Sequence, residues 1–282
     1  MNFTNEQLKQ IPVFGIAGNF AEHLTQAGED ADFVNIKTEE PNAPKGIFPI
    51  YLPNFNNFLN VFPLSSQIIE ANFSKQINLH LEPETCVLFN VVYDGSQVVN
   101  LKPQAFTAFN DCSIRRPNAQ KISEKKNWGE NCAGIASNWQ GLSSLDEGCE
   151  LDDYSIISFI KRDGKTIQYG MDSPVIGYQY FHQKLLDWMI NTFNQQQNTG
   201  PLEPLNQYLN QLNQPKKIIV SLGATRYTEF GEKGFLQPND EIGIFVYNQN
   251  KTDQQAIAKF FTQHANNKFT DGCYLHQKVK TS

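Results

Sequence analysis

Three carboxylates are the residues best placed to do chemistry. Leu79-His80-Leu81-Glu82-Pro83-Glu84-Thr85 reads as a strand, and Asp111 lies in a polar segment, Asn110-Asp111-Cys112-Ser113-Ile114-Arg115, just after the apolar stretch 105–109. Side chains alternate along a strand, so Glu82 and Glu84 are expected on one face. Two carboxylates stacked there repel each other unless a cation lies between them. Asp111, returned by a short sheet excursion, would complete an all-oxygen site for a hard divalent metal. Plainer readings compete: Glu-x-Glu is common on wet strands, and an Asp often caps a turn. The setting favours the site, because Glu84 leads into Cys86-Val87-Leu88-Phe89 and Val91-Val92-Tyr93, which read as a buried strand. An unpaired charge at the mouth of such a strand is costly.

The elements that must hold these residues are mostly strands. Val13 to Gly18, Ile47 to Leu52, Ile218 to Leu222 and Glu241 to Tyr247 are apolar runs of strand length, the last read as the final strand of the body. Asp94-Gly95 and Asp163-Gly164 lie between such runs and offer the positive backbone angles of tight hairpins. Thr4 to Gln10 reads as a short capped helix and Asn19 to Leu24 as a turn entering a helix. A polar loop is expected over Gly28 to Lys45 and another over Gly223 to Gly234. The longest helix is predicted over Ser173 to Asn194, with Phe181, Leu185, Trp188, Met189 and Phe193 forming an inward stripe. The Asn- and Gln-rich stretch 195–214 reads as a connection with a helical turn around Leu205, Leu209 and Leu212. The pattern is mainly β or α+β, with a few peripheral helices.

The 282 residues suffice for an N-terminal segment (1–10), a body (11–248) and a tail (249–282) with one amphipathic helix, Ala256 to His264. With 40% hydrophobic residues and 21 Phe, a substantial core can be filled. A net charge of -6 argues against nucleic acid, and Lys125-Lys126 and Lys216-Lys217 are too short to track a phosphate backbone. No run is apolar enough for a membrane span and no signal peptide is visible. Cys86, Cys112, Cys132, Cys149 and Cys273 are scattered without Cys-x-x-Cys spacing, as expected of thiols in a reducing, cytoplasmic setting. No Gly-x-Gly-x-x-Gly follows a strand, and no Walker loop or Gly-x-Ser-x-Gly elbow is present.

Taken in order, the polar clusters resemble the fumarylacetoacetate hydrolase family. The resemblance rests on Gly18-Asn19-Phe20-Ala21-Glu22-His23, Glu82-Pro83-Glu84, Asn110-Asp111-Cys112-Ser113-Ile114-Arg115, Gly164-Lys165-Thr166-Ile167-Gln168 and Leu222-Gly223-Ala224-Thr225, and it spans roughly residues 11 to 248. It implies a mixed β-roll, usually a homodimer, in which Glu82, Glu84 and Asp111 hold Mg2+, Mn2+ or Ca2+. It also implies that a small oxo-acid, such as an acylpyruvate, chelates that ion. Arg115, Gln168 and Thr225 would contact the substrate, and His23 would be the general base drawing a proton from water. The ion would polarise the carbonyl and stabilise the enolate formed as a carbon–carbon bond breaks. His80 is expected in a supporting or solvent role.

The chain departs from the family pattern in its proton-handling half. Gln26 stands where family hydrolases place a Glu three residues after the His, with Glu22 or Glu29 as substitutes only if the local turn allows. Cys132 falls where an oxyanion-stabilising Lys is expected, with Lys125 and Lys126 close by, and the late Gly-Thr-Pro is Gly223-Ala224-Thr225. Losing an oxyanion donor costs roughly 10²- to 10³-fold in rate. Two functions therefore stand: a metal-dependent hydrolase or decarboxylase of a small oxo-acid, or a catalytically divergent metal-binding protein with a binding or regulatory role.

Overall fold

The computed structural model describes residues 3–29, 33–34, 36, 38–74, 77–116 and 119–282. The first half comprises α1 (Asn5–Leu8), β1 (Val13–Ala17), α2 (His23–Ala27), β2 (Gly46–Tyr51), β3 (Leu64–Ser65), β4 (Ile68–Ala71), β5 (Leu79–His80), β6 (Pro83–Asp94), β7 (Gln97–Asn110), β8 (Ser113–Ile114), α3 (Ser123–Lys126), β9 (Ala133–Ile135) and β10 (Gln140–Gly141). The second comprises β11 (Tyr154–Arg162), β12 (Lys165–Pro174), α4 (His182–Gln195), α5 (Leu205–Gln211), β13 (Lys217–Ser221), α6 (Glu229–Lys233), β14 (Glu241–Asn248), α7 (Gln254–His264) and β15 (Gly272–Thr281).

Both Asp-Gly turns form. Gly95 takes a φ of 56° between β6 and β7, and Asp163 and Gly164 take 50° and 77° between β11 and β12, as a tight primed turn requires. The resulting hairpins seed two sheets. One runs β2-β1-β13-β6-β7-β9-β3, with β10 also on β7; the other runs β12-β11-β14-β15-β4. Three pairs are parallel, β1 with β13, β3 with β9 and β4 with β15, so the roll is mixed. The sheets meet where β7 touches β14 and β15. Phe106 of β7 also meets Tyr154 of β11 edge to face at 4.9 Å, a geometry worth about 1 kcal/mol beyond the area it buries. α4 covers β7 and β2, with Leu185, Leu186, Met189 and Phe193 buried, and α7 lies on β11 and β12.

Three expectations are corrected. The run Leu79 to Thr85 is not one strand: β5 pairs with β8 in a separate ribbon, and β6 begins at Pro83. Proline has no N–H to donate, so it is tolerated at a strand's first residue and not inside a ladder. The helix predicted from Ser173 begins at His182, because β12 continues to Pro174 and a short 3-10 turn follows over Val175–Gly177. Finally, residues 249–282 are no tail: β15 lies between β14 and β4. Its alternation (Cys273, Leu275, Gln277 and Val279 inward) is masked in the sequence by the buried glutamine and by the lysines between.

Candidate metal centre

The β6–β7 hairpin assembles the three carboxylates. Its register places Pro83 opposite Asn110, and the Asp111 N–H donates to the Glu82 carbonyl at 3.1 Å. Glu84 is oriented by the Gly223 N–H, which donates to Oε2 at 2.9 Å. Gly223 has a φ of 112°, a backbone state that favours glycine. One oxygen from each of Glu82, Glu84 and Asp111 lies within 4.8 Å of the others. All three side chains are almost fully buried.

Cations close around them. Lys126 Nζ lies 2.5 Å from Glu82 Oε2 and 2.7 Å from Asp111 Oδ2. Arg115 reaches Glu82 at 3.2 Å and Glu29 at 2.6 Å, and Lys125 reaches Glu29 at 3.3 Å. Burial raises the Glu82 carboxyl, but Lys126 and Arg115 outweigh it and hold it at about 2. Burial pushes Asp111 up to about 7 against the opposing pull of Lys126. Burial and then the Asp111 charge push Glu84 well above the carboxylate range. One lysine therefore compensates one carboxylate and leaves the other two short of positive charge. Asp111 Oδ1 has no hydrogen-bond or ion-pair partner among the described residues. An all-oxygen donor set with an orphaned buried oxygen fits a hard divalent cation. Among the described residues, and with every carboxylate ionised as a bound dication would require, four carboxylates (Glu29, Glu82, Glu84, Asp111) against three cations (Arg115, Lys125, Lys126) leave one negative charge. A dication would turn that balance to one positive charge, which suits an anionic ligand.

The other expected residues divide. His23 is buried, and its Nδ1 donates to the Thr225 carbonyl at 2.9 Å. Nε2 is thereby left as the unprotonated nitrogen, 3.9 Å from Glu82 Oε2. Burial lowers the His23 pKa, with Glu82 opposing, so the ring is neutral. Thr225 is fully buried, and its hydroxyl oxygen has no hydrogen-bond partner among the described residues. Arg115 is held from behind by His80, whose Nδ1 accepts at 2.7 Å. Burial and Arg115 depress His80 to about 4, which makes it a neutral acceptor. Gln168 is not brought in: it accepts from Gln254 of α7 and donates to the Gly170 carbonyl.

The substitutions are resolved by position. Gln26 is spent on both main-chain groups of Tyr227. Glu22 pairs with Arg226 near the surface. Gly28, at a φ of 70°, turns the chain so that Glu29 folds back onto Leu24 and enters the cluster. Cys132 does not stand for the lysine, since its thiol donates to the Lys126 carbonyl at 3.5 Å. The ammonium in the centre is that of Lys126, carried by the four-residue helix α3 and set over the Phe48 ring of β2. Sequence reasoning also missed Gln277. It accepts from Asn110 at 2.9 Å and donates to the Ser65 and Ile68 carbonyls, and Asn110 Oδ1 in turn accepts from the Glu82 N–H at 3.4 Å. A groove of about 1130 Å³, lined by residues of β4, β15 and 265–270 among others, contains none of these groups. Volume is a poorer guide here than the converging charges, because the carboxylates lie beneath the surface.

The sequence profile of a family of unknown function, DUF5718, matches residues 29–279. The chain belongs to that family. No curated protein matches it. Among solved structures, DUF5718 as seen here is similar to Cg1458 with inhibitor (18% identity, TM-score 0.51, 96% of this chain and 77% of that one). It is also similar to 5-carboxymethyl-2-hydroxymuconate delta-isomerase from Mycobacterium smegmatis (13%, 0.51, 96% and 79%). A third is the apo form of 2-keto-3-deoxy-D-arabinonate dehydratase (14%, 0.51, 96% and 73%). This DUF5718 chain therefore has the fumarylacetoacetate hydrolase fold. Among its described residues no helix is long and apolar enough to cross a membrane.

Proposed function

We propose that this protein is a divalent-metal-dependent enzyme that hydrolyses a carbon–carbon bond in, or decarboxylates, a small oxo-acid such as an acylpyruvate. The observation that carries this reading is the neutral Nε2 of His23 facing the cluster of Glu82, Glu84 and Asp111. Those three would hold Mg2+, or Mn2+ or Ca2+, which when bound supplies a Lewis acid for adjacent oxo and carboxylate oxygens.

The chain's own groups do the rest. The Thr225 carbonyl fixes the His23 tautomer, so Nε2 can take a proton from water as that water attacks the distal carbonyl. Glu82, 3.9 Å away, stabilises the imidazolium that forms. The carbon–carbon bond breaks with its electron pair staying on the pyruvate fragment. The proton held on His23 returns to that carbon, giving a carboxylic acid and pyruvate. Lys126 offers an ammonium to the developing oxyanion. Arg115 and Lys125 already hold a carboxylate, that of Glu29, and a substrate carboxylate would compete for the same pair. Two structural neighbours carry names of enzymes acting on 2-keto or 2-hydroxymuconate acids, which agrees with this class. A homodimer in the cytoplasm accompanies the reading.

One observation favours the second reading, a metal-binding protein without turnover: Glu82, Glu84 and Asp111 are 3%, 2% and 1% exposed, so a ligand reaches them only if covering groups move. Calorimetric titration of metal-stripped protein with Mg2+ or Mn2+, then with oxalate as an enolate mimic, tests the site. Metal binding and metal-dependent oxalate binding are expected, both lost in Glu84→Ala. Acylpyruvate cleavage by the loaded protein separates the two readings, and absence of metal binding would remove both.

A further inference from the structure

A second group of ligating side chains lies outside this centre. Cys149 precedes a 3-10 turn over Glu150–Asp153. Three residues per turn bring its side chain and that of Asp152 onto one face. His182, the first residue of α4, faces them. Asp152 Oδ1 accepts from Cys149 Sγ at 3.3 Å and from His182 Nε2 at 2.7 Å. Its other oxygen, Oδ2, is taken by the Gly148 N–H at 2.8 Å. Two protons thus converge on one carboxylate oxygen, and one sulfur, one nitrogen and one oxygen lie within 4.8 Å of each other. His182 reaches this position with a φ of 52°, a left-handed state that a residue with a Cβ adopts only under constraint.

We propose that Cys149, Asp152 and His182 form a site for a zinc-class divalent ion, joining the 3-10 turn to the start of α4. Tetrahedral zinc has bonds of about 2.0 to 2.3 Å, so its ligand atoms stand roughly 3.2 to 3.8 Å apart. The three atoms need to shift by only a few tenths of an ångström to about one ångström. Thiolate plus carboxylate balance a dication, and no further counter-charge is required. Asp152 and His182 are each 23% exposed, which leaves the fourth position to water. The sulfur and imidazole separate this site from the all-oxygen centre, which suits Mg2+ or Ca2+. On binding, the Cys149 thiol gives up its proton to solvent, and His182 Nε2 presents its lone pair to the ion in place of its hydrogen bond to Asp152.

Co2+ titration of the metal-stripped, reduced full chain tests this, because only a thiolate ligand gives the near-ultraviolet sulfur-to-cobalt charge-transfer band. The band is expected at one equivalent, bleached by Zn2+, accompanied by proton release, and retained in Glu84→Ala. Cys149→Ser should abolish it, and His182→Asn should weaken Zn2+ binding by at least about 100-fold, since even groups behind a ligand cost 10- to 100-fold. Circular dichroism shows whether each variant is folded. If Cys149→Ser does not fold, His182→Asn and the wild-type band still decide. No band in the wild type, a band surviving in Cys149→Ser, or unchanged Zn2+ affinity in His182→Asn would each overturn the proposal.

Discussion

The imidazole of His23 and the main-chain carbonyl of Thr225 share a 2.9 Å hydrogen bond across 202 residues of chain. A carbonyl can only accept, so the bond fixes the proton on Nδ1 and leaves Nε2 basic. His23→Gln is expected to lower acylpyruvate turnover by roughly 10²- to 10⁴-fold while leaving Mg2+ binding within a few-fold of wild type. Paired kinetic and calorimetric measurements check both halves. A drop under tenfold would deny His23 the role of base, and a lost metal would make it part of the metal centre.

Lys126 holds two of the carboxylates proposed to bind the divalent ion. In Lys126→Met, Glu82 and Asp111 lose a buried partner, a loss that costs about 3–5 kcal/mol. Melting in chelator should therefore fall well below wild type. Mg2+ should then raise the melting temperature more in the variant than in wild type, because the ion replaces the missing charge and no longer feels the ammonium. Equal Mg2+ shifts in the two proteins would show that Lys126 and the ion do not share ligands.

Gln277 links the second sheet to the carboxylates through Asn110. Gln277→Leu fills the same volume but removes the hydrogen bonds to the Ser65 and Ile68 carbonyls and the one from the Asn110 amide. A loss of about 2–4 kcal/mol is expected in urea unfolding, with weaker Mg2+ affinity. Undiminished affinity would mean that Asn110 is held in place without it.

The legible part of the site is the part that one hairpin builds. Asp94-Gly95 starts the β6–β7 pairing, and two register shifts along the hairpin, at Val92/Tyr93 and Leu88/Phe89, then bring Asn110 opposite Pro83 and Asp111 to Glu82. His23 and Arg115 were legible by their place in motifs. Lys126 was not, because a four-residue helix has no periodicity and its ammonium arrives through packing on β2. Glu29 depends on a left-handed turn at Gly28. Gln277 reads as a surface residue until β15 is seen to be interior. Gln168 lies on the expected hairpin, but its side chain faces α7.

Glu203 gives a pH dependence remote from the carboxylate cluster. Burial raises its carboxyl from 4.5 to about 7, against the opposing hydrogen bond from Ser123 at the start of α3. A carboxyl whose pKa is raised on folding stabilises most at pH values below its unfolded pKa. That contribution is lost as pH climbs from about 4.5 through 7, some 3 kcal/mol in all. Glu203→Gln keeps a neutral group there, so the difference in unfolding free energy between variant and wild type should grow over that interval and then level off. A constant difference would show that Glu203 is ionised throughout.

β4 and β15 pair in parallel, with Ile68 beside Lys278, so strands far apart in the chain must meet. During synthesis β4 is made before β15, and the edge it offers to β15 stays open until the ribosome has made that strand. An open edge recruits other strands. A chaperone that shields strand edges would cover this one for as long as β15 is missing.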